Sequence, residues 1–153
     1  MKCVSWAVAA LALVLAATFP AAAQDKGPWR AASSEAKSIT GDIGISDARL
    51  TINFSNFTIA QIRALKPDEA SAAFDADRSV PGGGNLYRLD VPADKRFSHH
   101  NTLCGSDETQ WMATWAFGSE LHVAFFSGAA MPVLTLDALN GSSAVCGTYT
   151  YVR

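Results

Sequence analysis

The chain has 153 residues, nearly half of them hydrophobic, and its 12 basic and 14 acidic residues leave a formal net charge of −2. Lysine and arginine are scattered, without the cluster or stripe that marks a surface for nucleic acid or anionic lipid, which argues against both kinds of partner. A chain of this length can bury a hydrophobic core without needing disulfides or metals to hold it.

A secretory signal peptide is predicted at the N-terminus. Lys2 supplies a positive charge, residues 8–19 form an uncharged apolar run, and residues 21–23 (AAA) place small side chains where a signal peptidase cleaves. We expect cleavage after Ala23, which leaves residues 24–153 as a single domain. The alternative is a membrane anchor, but the apolar run is shorter than the ~20 residues that span a bilayer. The expected location of the mature protein is the periplasm or the extracellular medium.

The first half of the predicted domain combines weak helix signals with one clear strand. Residues 29–37 (WRAASSEAK) predict a short N-terminal helix. Apolar and polar side chains alternate in residues 48–54 (ARLTINF), which predicts a strand that buries its apolar members, Phe54 included, and ends in a Ser-Asn turn. A Pro-Asp-Glu start predicts a second helix over residues 66–77, and residues 81–84 (PGGG) predict a flexible hairpin loop.

The second half carries stronger strand signals. Period-two alternation rich in aromatic and β-branched side chains predicts strands over four segments: residues 86–91, 110–117, 120–126 and 145–152. Gly118 and Ser119 separate the two central segments, which predicts a hairpin over residues 110–126. Residues 131–139 fit either a strand or a turn of helix.

These elements predict an all-β domain, built as one small antiparallel barrel or sandwich of six to eight strands. The short helix at its N-terminus is the expected exception. Strands of this length suit a barrel whose interior is filled by aromatic side chains or holds one small ligand.

One disulfide is predicted. Cys3 leaves with the signal peptide, so Cys104 and Cys146 remain, and two cysteines in an exported protein have one way to pair. Closing a loop of about 40 residues stabilises a fold by roughly 4 kcal/mol in the chain-entropy model. The alternative, a reactive thiol or a metal ligand, lacks the CxxC spacing that would support it.

The three histidines are the candidate metal ligands. His99 and His100 are neighbours, and neighbouring residues of an extended segment point to opposite faces, so they cannot readily share one ion. His122 lies opposite the apolar face of its strand and is expected to face solvent. We predict no metal and no cofactor. A site made from one of the pair, His122 and an acidic residue is the alternative, in a metal-binding or hydrolytic enzyme.

Motifs for covalent or acid–base catalysis are missing from the sequence. Residues 125–130 (FFSGAA) lack the leading glycine of a GxSxG nucleophile turn. The paired acids at 68–69 and 107–108 are neighbours in loop-like segments, which is typical of solvated surface. Three Asn-x-Ser/Thr sequences, at Asn53, Asn56 and Asn140, are glycan acceptors only in a eukaryotic host.

Phe126 is the predicted centre of a partner contact. It lies on the face opposite Phe125, beside His122, and precedes Ser127 and Gly128 at a strand end. An exposed aromatic side chain next to a glycine loop is a plausible contact for a protein partner. The candidate contact residues are therefore His122, Phe126, Ser127 and Gly128.

Four segments carry a family resemblance: the alanine-rich N-terminus, residues 101–105 (NTLCG), residues 125–128 (FFSG) and residues 146–152 (CGTYTYV). With them the chain resembles small periplasmic β-barrel proteins of alphaproteobacteria. In architecture these are similar to the periplasmic inhibitors of c-type lysozyme, which place a Ser-Gly-rich loop in the lysozyme cleft. Ser127 and Gly128 match two residues of that loop, and residues 129–130 depart from it.

The sequence thus predicts an exported, non-catalytic envelope protein that binds a protein partner or a small apolar ligand at a barrel mouth or loop. Its support is the export signal, the all-β pattern and the single disulfide. The alternative function, a metal-binding or hydrolytic enzyme, would use His99, His100 or His122.

Overall fold

The computed structural model describes residues 25–153, and the predicted signal peptide with its cleavage site lies outside these residues. The described residues form eight strands and two α-helices, with a π-helical turn at Ala36–Thr40 and a 3₁₀ turn at Ser98–His100. In chain order the elements are β1 (Gly27–Ala31), β2 (Ile43–Ile45), β3 (Arg49–Ile52), β4 (Ser55–Ala64), α1 (Pro67–Phe74), β5 (Asn85–Val91), β6 (Thr109–Phe117), β7 (Glu120–Ser127), α2 (Leu136–Asn140) and β8 (Val145–Val152).

The strands form a closed antiparallel barrel in which each strand pairs with the next in the chain. The ring is closed by β1 and β8, through the pairs Arg30–Val152 and Ala31–Tyr151. Closure pairs the two strands that would otherwise be exposed edges. The predicted all-β barrel is confirmed, and so is the hairpin over residues 110–126, which turns at Gly118 and Ser119.

Side chains from all round the barrel fill its interior. Tyr87, Phe125 and Tyr151 lie in this core and have no accessible surface. The Phe125 ring also meets the edge of Tyr149, with ring centroids 5.5 Å apart and planes at 72°. Because no water-sized space touches these rings, the interior is a packed core and not a ligand cavity. The sequence predicts an interior either filled by aromatic side chains or holding one small ligand, and the structure shows the filled one.

The predicted N-terminal helix is wrong over its first part. Residues 27–31 form β1, which pairs with both β2 and β8 and places Trp29 in the core. Helical backbone begins only after this strand and ends in the π-helical turn. Helix propensity is a weak preference, and here two ladders of backbone hydrogen bonds and a buried indole outweigh it.

A second apolar cluster lies outside the barrel, on the outer face of the β6–β7 hairpin. Three cross-strand pairs form this face: Trp111–Phe126, Ala113–Ala124 and Trp115–His122. Both α-helices and the segment before α2 cover it, with Ala70 and Leu134 in the cluster. Trp111, Ala113 and Trp115 alternate along β6, so they share one face, and that face is outside the barrel. Strands β6 and β7 are therefore buried on both faces.

The helix predicted over residues 66–77 is confirmed as the shorter α1. Glu69 accepts a hydrogen bond from the backbone N–H of Lys66 at 2.9 Å and two from the Arg63 guanidinium at 2.7 Å each. These bonds cap the helix and fasten it to β4. The helix ends where Asp75 takes a left-handed conformation. No helix within residues 25–153 is long and apolar enough to cross a membrane.

The prediction of a flexible hairpin loop at residues 81–84 is wrong, because this glycine-rich segment lies against β6. Gly83 and Ala116 exchange backbone hydrogen bonds of 3.0 and 2.7 Å. A Cβ atom on Gly84 would lie 1.7 Å from the carbonyl oxygen of Thr114. Glycine is needed here because two backbone segments approach with no room for a side chain.

The predicted disulfide is present between Cys104 and Cys146, with an S–S distance of 2.04 Å. It joins the connection between β5 and β6 to the start of β8. Gly105 then turns the chain in a left-handed conformation, and the N–H of Asp107 donates to the Cys104 carbonyl at 3.1 Å. The disulfide therefore fastens a long connection to the strand that closes the barrel.

Candidate functional site

The prediction that His122 faces solvent is wrong, because this side chain lies on the outer face of β7 but is half-buried between aromatic rings. Its imidazole stacks on Phe117, with centroids 5.4 Å apart and planes at 12°, and approaches Phe74 at the end of α1 at 5.8 Å. The Nε2 atom lies 2.7 Å from a carboxylate oxygen of Glu120, and Nδ1 lies 3.4 Å from the Thr150 hydroxyl. These partners hold His122 in the wall of a cavity of about 260 Å³.

The predicted exposure of Phe126 is wrong, because only 1% of its surface is accessible. Its cross-strand neighbour Trp111 donates its indole N–H to the Gly128 carbonyl at 3.1 Å. That bond holds the following segment over the outer face of β7. Ser127 is also buried, and Gly128 is exposed. The partner contact predicted around Phe126 therefore has no exposed side chain at its centre.

The prediction that His99 and His100 lie on opposite faces of an extended segment is wrong. They lie in the 3₁₀ turn, with left-handed φ angles of 55° and 61°, and both are exposed. His99 Nδ1 is 3.0 Å from the Ser38 carbonyl oxygen. Within residues 25–153, no three His, Cys, Asp or Glu side chains come together to hold a metal ion. The alternative site of one of these histidines, His122 and an acid is not assembled.

A buried carboxylate that the sequence analysis did not single out precedes β1. Asp25 is 2% exposed, and its Oδ2 atom accepts hydrogen bonds from Tyr87 at 2.7 Å, Thr114 at 2.6 Å and Asn85 at 3.1 Å. Burial, and then the charge of Asp25, raise the pKa of Tyr87 above its usual range. The phenol therefore stays protonated and serves as a donor. All three donors belong to β5 and β6, so this network ties the start of the described chain to the barrel.

Phe54 differs most from its predicted position. It was expected on the buried face of a strand, yet 96% of its surface is exposed. Ile52 pairs with Ser55, so Asn53 and Phe54 form a two-residue hairpin turn between β3 and β4. Both have left-handed φ angles, 47° and 65°, as a type I′ turn requires. Asparagine adopts this conformation readily, whereas a bulky side chain is strained in it.

The signal that could have placed Phe54 lies in the strand that follows. Residues 55–64 form β4, which was not predicted and in which Ile59 is the one buried side chain. Its apolar alternation changes phase after Ile59, and its pairing with β5 shifts register between Gln61 and Arg63. With β4 recognised, Asn53 becomes the first residue of a tight turn between two strands, a position where asparagine is favoured.

A second exposed surface lies between α1 and the segment that leads into α2. Met131, Val133 and Leu136 are exposed large apolar side chains and line one side of a groove of about 780 Å³. The ion pair of Arg63 and Glu69 lies on the other side. The groove thus joins an apolar wall to a charged one.

Comparison of the chain with protein-family models, with curated proteins and with solved structures finds no match in any of the three. The resemblance to periplasmic inhibitors of lysozyme stays a prediction. The functional conclusion rests on the surfaces of the chain itself.

Proposed function

We propose that this protein is an exported binding protein that recognises a protein partner through the β3–β4 hairpin, with Phe54 as the anchor. The observation that carries the proposal is an exposed phenylalanine held in a left-handed turn. The Cys104–Cys146 disulfide and the predicted signal peptide support an exported location.

Phe54 contributes little to the folding of the barrel. Exposed as it is, it gains none of the ~1.5–3 kcal/mol that burial of a large apolar side chain contributes. Left-handed backbone destabilises an L-residue by about 1–2 kcal/mol. Glycine at residue 54 would remove both the strain and the exposed ring. Phe54 is thus unfavourable for stability both in its exposure and in its backbone conformation. A binding role accounts for such a side chain projecting from the fold.

An apolar pocket on another protein is the occupant that suits a single projecting ring. Aromatic side chains dominate interface energetics where they fill such a pocket and polar groups surround them. Thr51 and Asn56 supply polar groups at the base of the turn, where their side chains share a 2.7 Å hydrogen bond. A membrane suits this surface less well, because one ring on a chain of net charge −2 lacks the basic residues that attract anionic lipid.

The packed interior supports binding on the outside of the barrel. A small apolar ligand of the kind carried by open barrels would need the space that Tyr87, Phe125 and Tyr151 occupy. Emptying that space would require loss of the aromatic core. We therefore favour a protein partner over an apolar ligand inside the barrel.

Photo-crosslinking from residue 54 tests the proposal. A benzophenone side chain is placed at residue 54 of the full chain in its own host cells, and at residue 47 as the control. Asp47 has a fully exposed side chain, 100% accessible, in the turn at the opposite end of β3. We expect one discrete adduct from position 54 that position 47 does not form. Excess wild-type protein should compete for it and the Phe54→Gly protein should not. Identical adducts from both positions, or none from position 54, would overturn the proposal.

A further inference from the structure

The cavity beside His122 is a second candidate site, made by different elements from the β3–β4 hairpin. It lies between the outer face of the β6–β7 hairpin and the end of α1, and four rings line it: Phe74, Trp115, Phe117 and His122. Val80 closes one side with an exposed apolar side chain. Its volume of about 260 Å³ is slightly below the ~300–1,000 Å³ of most ligand cavities, so an occupant would be small.

Trp115 lines this cavity and carries an unused hydrogen-bond donor, whose nitrogen lies beside Gly82. The indole N–H of Trp29 donates to Asp25 and that of Trp111 donates to Gly128, at 2.9 and 3.1 Å. Trp115 is only 4% exposed, yet its N–H has no acceptor among residues 25–153. The Trp115 nitrogen also keeps some accessible surface. Within residues 25–153, the only fully buried side-chain nitrogen or oxygen without a hydrogen-bond partner is Gln110 Oε1. Buried indoles normally find an acceptor, so an acceptor atom on a ligand would complete this one.

The charge around the cavity is negative. Asp75 and Asp77 line it, and within the described chain no lysine or arginine does. The hydroxyl and then the N–H of Ser79, at 2.7 and 2.8 Å, lower the pKa of Asp77 and keep it ionised. A carboxylate oxygen of Glu120 lies 2.7 Å from His122 Nε2, so a third acidic side chain contacts the lining of the cavity. An anionic ligand would meet carboxylates and no cationic side chain of lysine or arginine.

We propose that this cavity binds a small organic cation that also carries a hydrogen-bond acceptor, such as a methylated ammonium compound with a hydroxyl group. The aromatic faces attract the cationic group through their quadrupoles, and the two aspartates add charge attraction at the rim. The Trp115 N–H donates to the acceptor. Aromatic cages of this composition are the usual protein solution for quaternary ammonium groups.

A matched pair of probes separates charge from shape. Choline and 3,3-dimethylbutan-1-ol have the same shape and the same hydroxyl, but a quaternary carbon replaces the nitrogen in the alcohol. Binding is measured on the full mature protein by calorimetry and by tryptophan fluorescence. We expect choline to bind about tenfold more tightly than the alcohol, since only choline has the charge that the rings and carboxylates attract.

Three variants assign the binding to this cavity. Asp77→Asn keeps the acceptor for Ser79 and removes the charge, so it should weaken choline several-fold and leave the alcohol unchanged. Asp137→Asn removes an exposed charge on α2, outside the cavity, and is its control. Trp115→Phe keeps a ring without the N–H, so it should weaken choline more than tetramethylammonium, which has no acceptor. Thermal unfolding of each variant verifies that it is folded.

Equal affinity for choline and the alcohol would overturn the proposal, and so would the absence of choline binding at millimolar concentration. Equal weakening by Asp77→Asn and Asp137→Asn would also overturn it, because the attraction would then be a general effect of net charge. None of these outcomes bears on the crosslink from residue 54, so the two proposals stand or fall separately.

Discussion

The hydroxyl of Tyr87 donates a 2.7 Å hydrogen bond to Asp25, across 62 residues of sequence. Tyr87 is a core residue of β5, whereas Asp25 precedes β1, the strand that closes the barrel. The Trp29 indole also donates to the Asp25 backbone carbonyl at 2.9 Å. One residue outside the strands thus connects the first strand to the core, and its connection can be tested by removing single atoms.

Tyr87→Phe is expected to lower the free energy of unfolding by about 2 kcal/mol, because a buried carboxylate loses one of its donors. Tyr149→Phe is the matched control. Tyr149 is equally buried, but its hydroxyl makes no hydrogen bond with residues 25–153. Urea unfolding measures both variants, and an equal loss of stability in the two would contradict the role assigned to the Asp25 bond.

All three tyrosines of the chain should resist ionisation while the protein is folded. Burial raises the pKa of each, to about 12 for Tyr149 and higher for Tyr87 and Tyr151. A raised folded-state pKa stabilises the protein below the unfolded value of about 10, and this contribution is lost as pH rises toward the folded values. Tyrosinate absorbance at about pH 11 should therefore be much weaker in native protein than in denaturant. A tyrosine that titrates at about pH 10 in the native state would contradict this.

Removal of the disulfide should destabilise the barrel without changing its topology. The bridge closes a loop with a sequence separation of 42, for which chain entropy gives about 4 kcal/mol. The Cys104→Ala, Cys146→Ala double variant should lose about that much free energy of unfolding in urea. Thiol titration of the unreduced mature protein should detect no free thiol, and one thiol per chain would contradict the pairing.

Substitutions at residue 54 separate turn strain from binding. Phe54→Gly should be more stable than Phe54→Ala by about 1 kcal/mol, because only glycine occupies the left-handed region without strain. Both variants lack the ring, so both should fail to compete for the crosslinked partner. Thermal unfolding measures the first effect, and a lower Tm for Phe54→Gly than for Phe54→Ala would mean that the turn is not strained.

Gly84→Ala should be among the most damaging single-methyl additions. The new Cβ atom would lie 1.7 Å from a backbone oxygen of β6, so the segment before β5 must move away, at about 3 kcal/mol or more. Gly44→Ala is the control, since its Cβ atom would lie 3.8 Å from the Thr51 Cβ atom, an ordinary contact. Urea unfolding should show a change within about 1 kcal/mol for Gly44→Ala, and similar losses in both would refute the close approach at Gly84.

Strong local alternation made the second half of the barrel predictable. Strands β5 to β8 repeat apolar side chains, many of them aromatic or β-branched, at alternate positions, and the strand period alone assigns their faces. Strands β1, β2 and β4 were not predicted, because they are short or have few buried side chains. Their conformation depends on pairing with neighbours, which a local pattern does not contain.

The candidate sites were predicted less well than the fold. His122 was placed on the correct face of β7, but the rings of Phe74 and Phe117 that enclose it come from other elements. Phe126 is predicted to be exposed and is buried, whereas Phe54 is predicted to be buried and is exposed. Both errors have one cause, which is that exposure depends on what covers a side chain and not on the residue itself.

By itself, the sequence determined the strand period of β5 to β8, the all-β class and the pairing of Cys104 with Cys146. These properties follow from local alternation and from having only two cysteines to pair in the predicted mature chain. The tertiary structure alone decided that α1 and α2 cover the outer face of β6 and β7, and that Asn53 and Phe54 lie beyond the end of β3. Such decisions require contacts between residues far apart in the chain, because burial is a property of the assembled barrel.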